Sequence, residues 1–271
     1  MTPTMVERNV ADVLRAALAD ASGEVLAVHP SAEAIEELVN VMTELDDVPA
    51  VRLLAPEGVL KDVMGDFILA STAADRIDDG VLSLRVAEEP PTNSLLITED
   101  ELVAVVDAGD RVAGLVTDDE AFVGSANGRY DELWAGAKGF SLRTPPISRV
   151  RTTLSEDLGS GIESDFTGVL ASLETARGDD DGLDEVTISL LVAAKNEALL
   201  YDISKWGEDV GIASKATFSR TKTKLEDMGL LDTEKVPIDV GRPRLRLMLG
   251  DERLQGADTD QLASVAQTIL T

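Results

Sequence analysis

Residues 203–249 read ISKWGEDVGIASKATFSRTKTKLEDMGLLDTEKVPIDVGRPRLRLML, and no other stretch restricts the fold as much. A short helical run, Ile203 to Val210, is broken at Gly211. Ser214 has the chemistry of an N-cap, because its hydroxyl accepts one of the free N–H groups at a helix start. The helix it opens is predicted to run to Met228 and stop at Gly229, which takes the left-handed C-cap conformation without steric cost. A strand from Leu230 to Val236, a turn over Pro237 to Gly241 and a strand from Arg244 to Leu249 complete the stretch. The alternation Arg244-Leu245-Arg246-Leu247 sends leucines to one face and arginines to the other. Helix, tight turn, helix and hairpin is the order of a winged helix-turn-helix.

The side chains fit that order. Phe218 and Leu225, seven apart on the second helix, share a face that packs inward. Ser214, Lys215, Thr217, Ser219, Arg220, Lys222 and Lys224 remain for the other sides. They supply donors for phosphates and for base edges in a major groove. Arg242, Arg244 and Arg246 lie on the expected wing, within reach of backbone or minor groove. Arg220 is the candidate for a base contact. The competing reading is a solvated basic helix beside a polar hairpin, since charge periodicity alone is common.

Charge gives the stretch its context. The formal charge is −27, with Asp+Glu 51 against Lys+Arg 24, whereas duplex DNA is held electrostatically by Lys and Arg. From Ala213 to Leu249 eight basic residues meet five acidic ones, a local balance of +3. Aromatic residues make up 3%, there is no cysteine, and six of the eight lysines lie in the C-terminal third. The pattern is that of a salt-saturated cytoplasm, where a carboxylate coat keeps protein hydrated and the Debye length falls to roughly 3 Å. With 44% hydrophobic residues and mean hydropathy +0.03 the chain is not disordered by composition. No apolar run approaches the roughly 20 residues of a membrane helix. The N-terminal MTPTMVERNV lacks a basic start followed by an apolar core, so no signal peptide and a cytoplasmic location are expected. Absence of cysteine removes disulfides and thiolate metal sites.

Taken in order, the chain begins with a helical pattern over Val6 to Ala21. A strand over Glu24 to Val28, a helix after Ser31, a strand over Ala50 to Leu54 and a helix from Val59 to about Leu69 follow. This alternation implies parallel strands in an α/β layer. Short strand-like runs come next (Val81 to Val86, Ser94 to Ile97, Leu102 to Val106, Val112 to Val116), separated by turn residues that include Pro90 and Pro91. A helix over about Asp118 to Lys138 has Phe122, Leu133 and Trp134 as packing residues. The predicted domains are therefore residues 1–144, an α/β effector or dimerisation domain with a mixed sheet; 145–182, a linker and dimerisation helix; and 183–271, the winged helix-turn-helix with a C-terminal tail. Pro145 and Pro146 mark the first boundary. Ile162, Phe166, Val169 and Leu173 step by four, three and four, a coiled-coil seam that suits a dimer reading two half-sites, with packing inside one chain as the alternative. The polar break at 177–182 ends that segment.

Catalysis has little to work with. His29 is the one histidine, and nucleophile triads need a partner His or Cys elsewhere. There is no Walker loop and no Gly-x-Gly-x-x-Gly after a strand, so no cofactor is expected. The carboxylate runs at Asp107 to Asp110 and Asp118 to Glu120 read as surface, and no metal site is expected. His29 stands at the end of the first strand, where ligands of α/β layers often sit. Ser31 and Glu57 nearby, with Thr117 after a later strand, make a candidate effector edge, and free N–H groups at helix starts suit a phosphate such as that of a sugar phosphate.

The segment VGIASKATFSRTKTKLEDMGLLDTEK with GRPRLRLML, and the N-terminal GEVLAVHPS, VRLLAP and AGLVTDDEAFVGS, resemble haloarchaeal transcription regulators of the TbsP type, which are similar in plan to TrmB-like regulators. The resemblance covers most of the chain. It implies a phospholipase-D-like N-terminal domain used for effector binding or dimerisation, and control of sugar and central-carbon genes. The catalytic His-x-Lys-x4-Asp of true phospholipases is absent, because Pro30 and Ser31 follow His29. The expected partners are promoter DNA, a second copy of the chain and a small metabolite, with no membrane. The reading from another class is a ligand-binding or protein-interaction module whose winged domain docks protein.

Overall fold

The computed structural model describes residues 4–21, 23–45, 47–88, 92–175, 183–239 and 243–270. It divides into two units, Met1–Leu142 and Arg143–Thr271. Arg242, Pro90, Pro91 and the polar break at 177–182 lie outside the described residues.

The first unit is a mixed α/β layer. In chain order it contains β1 (Met5–Glu7), α1 (Val10–Ala19), β2 (Val25–Val28), α2 (Ala32–Glu44), β3 (Val51–Ala55), α3 (Glu57–Val63), α4 (Phe67–Asp78), β4 (Leu82–Val86), β5 (Leu95–Ile97), β6 (Leu102–Asp107), β7 (Val112–Thr117), α5 (Glu120–Gly136) and β8 (Lys138–Gly139). The sheet order is β1-β7-β6-β5-β2-β3-β4-β8. The strands β2, β3 and β4 run parallel, joined by helical crossovers, and the remaining neighbours are antiparallel. Helices α1 to α4 bury one face through Leu14, Ile35, Leu38, Met42 and Leu60. Among the described residues, α5 alone lies on the other face, where Val123, Tyr130 and Trp134 pack on Leu26, Val28, Leu54 and Ile97.

The local signals explain most of these elements. Asn9, Ser31, Asp66 and Asp119 each accept a backbone N–H at the start of a helix. The single helix expected from Val59 divides into α3 and α4 around Gly65 and the Asp66 cap. The first expected helix starts only at Val10, and Met5 to Glu7 pair with β7 instead. On α5, Trp134 packs as expected, but Phe122 and Leu133 are exposed, and Val123 and Tyr130 take the inward positions.

The second unit is helical with one hairpin: α6 (Ile147–Leu158), α7 (Ser160–Thr175), α8 (Glu185–Lys195), α9 (Leu200–Val210), α10 (Lys215–Asp227), β9 (Leu231–Val236), β10 (Arg244–Leu249), α11 (Glu252–Gln255) and α12 (Thr259–Leu270). Ile162, Phe166 and Val169 of the expected dimer seam are buried inside this unit, Phe166 completely, and Leu173 is partly buried. The ring of Phe166 meets Trp206 of α9 edge-on, with centroids 6.4 Å apart. This corrects the seam. A four-three-four apolar spacing serves intrachain helix packing as well as a coiled coil, and here the surrounding helices take it. Asp165 joins three helices, accepting from Lys195 Nζ at 2.9 Å, from Asn196 Nδ2 at 2.7 Å and from the Thr259 hydroxyl.

Candidate nucleic-acid interface

Helices α8, α9 and α10 with the β9–β10 hairpin form a winged helix-turn-helix. Gly211 takes φ 96 at the end of α9, and Ile212 N–H returns to Gly207 O at 2.8 Å, so the turn is closed by its own backbone. A second glycine, one that periodicity alone does not reveal, sets the approach of the two helices. A Cβ on Gly207 would lie 2.3 Å from the ring of Phe218, so α10 seats its main apolar anchor directly on the α9 backbone. Phe218 and Leu225 are buried as expected. The hairpin pairs Arg244 with Val236 through to Leu249 with Leu231, and Leu247 is the buried member of its strand.

The candidate side chains divide into three groups. Ser214 and Thr217 are engaged in the cap: Ser214 Oγ accepts the Thr217 N–H at 3.2 Å, and the two hydroxyls are 3.0 Å apart. Ser219, Arg220 and Lys224 are exposed on α10. The two cations make no ion pair among the described residues, and Arg220 leans on the Thr217 hydroxyl at 3.4 Å. The third group is paired internally. Lys215 Nζ is 2.8 Å from Glu208, Arg244 3.2 Å from Asp202, and Arg246 3.3 Å from Glu234. The Arg244 guanidinium also lies over the Tyr201 ring, 4.3 Å from its centroid. The hydrogen bond from Lys215 holds the Glu208 carboxyl below its ordinary range, and the same pair raises Lys215.

Lys222 does not belong with the exposed set. Only 8% of it is accessible, and its ammonium reaches Glu226 at 2.7 Å, whose other oxygen accepts from Thr233 of β9 at 2.7 Å. Its position between Phe218 and Leu225, at i+4 and i+7 spacing, places it on the inward stripe and makes it a strut between α10 and the wing.

The candidate effector residues do not gather at one place. His29 ends β2 with φ 48, an uncommon conformation for a residue with a Cβ. Ser31 Oγ is occupied by the Ala34 N–H at 3.1 Å, and Glu57 pairs with Lys61 at 2.9 Å. These three share the C-terminal edge of β2 and β3. The end of β7 lies at the opposite edge, because β7 runs antiparallel to β6 and β6 runs the same way as β2, so Thr117 is separated from them. A cavity of about 370 Å³ also opens at that opposite edge, lined by Met5, Ala17, Val25, Leu96 and Val103 with Asp20, Asp100 and Glu101. Those carboxylates oppose a phosphate. Among the described residues there is no group of three or more His, Asp and Glu side chains placed to hold a metal, and no helix is long and apolar enough to cross a membrane.

The chain is similar to several known proteins. A solved structure of TrmBL2, titled as an archaeal chromatin protein with a novel mode of DNA binding, aligns at 16% identity and TM-score 0.37, over 51% of this chain and 53% of that one. The phospholipase D family member Nuc from Salmonella typhimurium aligns at 11% identity and TM-score 0.36 over 51% of this chain and 97% of its own. NucT from Helicobacter pylori aligns at 11% identity and TM-score 0.32, over 51% and 99%. No curated protein matches. The family model described as Transcriptional regulator TbsP-like, N-terminal, matches residues 2–145, and Transcriptional regulator TbsP-like, C-terminal HTH domain, matches residues 146–267. With residues 2–267 matched, and helix, turn, helix and hairpin in place, the chain belongs to the TbsP-like transcriptional regulators.

Proposed function

We propose that this regulator reads a specific duplex sequence as a homodimer, at high salt in a haloarchaeal cytoplasm, and governs genes of sugar and central-carbon metabolism without being an enzyme. The observation that carries DNA reading is the outward face of α10. Arg220 and Lys224 stand exposed and free of carboxylates on a helix that is capped, seated on Gly207 and braced by Lys222. This is the presentation a recognition helix needs, with an Arg for base edges and a Lys for phosphate. The experiment is binding to the DNA upstream of its own gene, compared with a scrambled duplex, in molar potassium chloride. A clear preference for the upstream DNA supports the reading, and equal binding at every salt concentration contradicts it.

The homodimer is best supported on the half of the sheet that α5 leaves open. Val6 (53% accessible), Val106 (45%) and Leu115 (47%) lie on that face. Val6 and Val106 both pair with Ala113, and Leu115 pairs with Ala104 one row away. By strand alternation, the same face carries Thr4 and Thr117 and, among the described strand residues, no carboxylate, and it is bordered by Arg8 and Arg111. In a chain of charge −27, a face without carboxylates is where a second copy approaches with least repulsion.

A metabolite, with a sugar phosphate as the candidate, is proposed at the β2–β3 edge at His29, Ser31 and Glu57, where helix starts offer free N–H groups and Lys61 neutralises the Glu57 carboxylate. Titration of hexose and triose phosphates against melting temperature and DNA affinity tests this. An effector must bind the DNA-competent and incompetent forms differently, so no change in either quantity leaves the unit as a dimerisation scaffold.

A further inference from the structure

Three cations assigned to DNA already hold carboxylates of the same chain, and the pairs are built between elements. Lys215 of α10 takes Glu208 of α9 at 2.8 Å, Arg244 of β10 takes Asp202 of α9 at 3.2 Å, and Arg246 of β10 takes Glu234 of β9 at 3.3 Å. All six side chains are between 37% and 55% accessible, so water and ions reach every pair. Resting on the DNA-reading proposal above, we propose that Asp202, Glu208 and Glu234 are built-in counter-ions which DNA phosphates displace, and that the freed carboxylates take up cations from solution.

The consequence is a changed salt dependence. In ordinary binding each Lys or Arg that neutralises a phosphate frees a cation condensed on the DNA. The logarithm of affinity then falls with the logarithm of salt at about −0.9 per contact. At Lys215, Arg244 and Arg246 a second ion movement opposes the first. DNA gives up a cation, and the carboxylate that loses its partner gains one from solution. The negative field of a chain at −27 favours that uptake. Among the described candidate contacts only Lys224, unpaired and placed on phosphate, contributes the full release; Arg220, on a base edge, neutralises no phosphate. The cost is weaker binding in dilute salt. The gain is binding that persists where an ordinary basic interface is screened away.

The test is fluorescence anisotropy of a labelled upstream duplex, titrated with protein at several potassium chloride concentrations from tenth-molar to molar. Wild type is compared with D202N, E208Q, E234Q and the triple variant, each checked for folding by its thermal melt. Per DNA-bound protomer, the expected wild-type slope is about −1, that of the triple variant about −4, and each single variant steepens it by about 1. The triple variant also binds more tightly than wild type in dilute salt. Equal slopes in wild type and any folded variant overturn the proposal, as does a wild-type slope already near that expected of the triple variant. If wild type binds no duplex at any salt, the DNA reading itself falls and this proposal falls with it.

Discussion

At the scale of single residues, the second unit depends on side chains that look ordinary in the sequence. Asp165 sits where burial works against its charge. The hydrogen bonds from Thr259, Lys195 and Asn196 outweigh that penalty and hold its carboxyl below the usual value. A folded-state pKa below the unfolded one means that the stabilisation is present above the unfolded value, near 3.9, and is lost as pH falls through the folded value. Asp165→Asn is therefore expected to cost about 1–3 kcal/mol at neutral pH, with a difference from wild type that shrinks in acid. Urea unfolding across pH checks this, and a difference independent of pH would contradict it. Gly207 and Lys222 teach a related lesson. The requirement for glycine at 207 comes from Phe218 eleven residues on, which no local rule contains. The inward position of Lys222 was legible, because it shares the stripe of Phe218 and Leu225, but its charge disguised it.

Among elements, those governed by local chemistry were the readable ones. The cap at Ser214, the left-handed glycines at 211 and 229, and the Arg-Leu alternation of β10 together define the winged motif, and each acts within a few residues of itself. The alternation of strands and helices likewise gave the α/β layer and its mixed sheet. What was not legible depends on distant partners: the three-residue β1, the two-residue β8, and the destination of the Ile162 stripe. Apolar spacing says that a helix has an inner face without saying which surface meets it. With that stripe buried in its own unit, the proposed dimer contact moves to the open face of β1, β7 and β6. Leu115→Asp places a charge there at a position already half exposed, so the monomer should keep its melting temperature. The dimer should weaken at least tenfold, because an unpaired charge in a closed interface costs more than about 1.4 kcal/mol. Light scattering over a dilution series reads this, and an unchanged dimer constant would place the contact elsewhere.

For the whole molecule, both units are net acidic, and the positive charge is gathered in one stretch of the second. Much of the sequence is an acidic coat, while the motif at 213–249 keeps a balance of +3, and part of that positive charge is held in reserve by carboxylates from α9 and β9. The family assignment rests on both halves of the chain. The residues proposed to read DNA were partly legible as a basic helix and wing. Their division into free, paired and buried cations needed the three-dimensional arrangement. The central claim is that exposed α10 reads sequence, with Arg220 on a base edge. The most direct measurement is the affinity of wild type and Arg220→Ala for upstream and scrambled duplexes in the same molar salt. The account predicts that Arg220→Ala lowers the upstream-to-scrambled ratio by about 5- to 150-fold, the worth of one bidentate base contact, while affinity for scrambled DNA changes far less. An equal loss on both duplexes would show Arg220 to be a phosphate contact and would contradict the account.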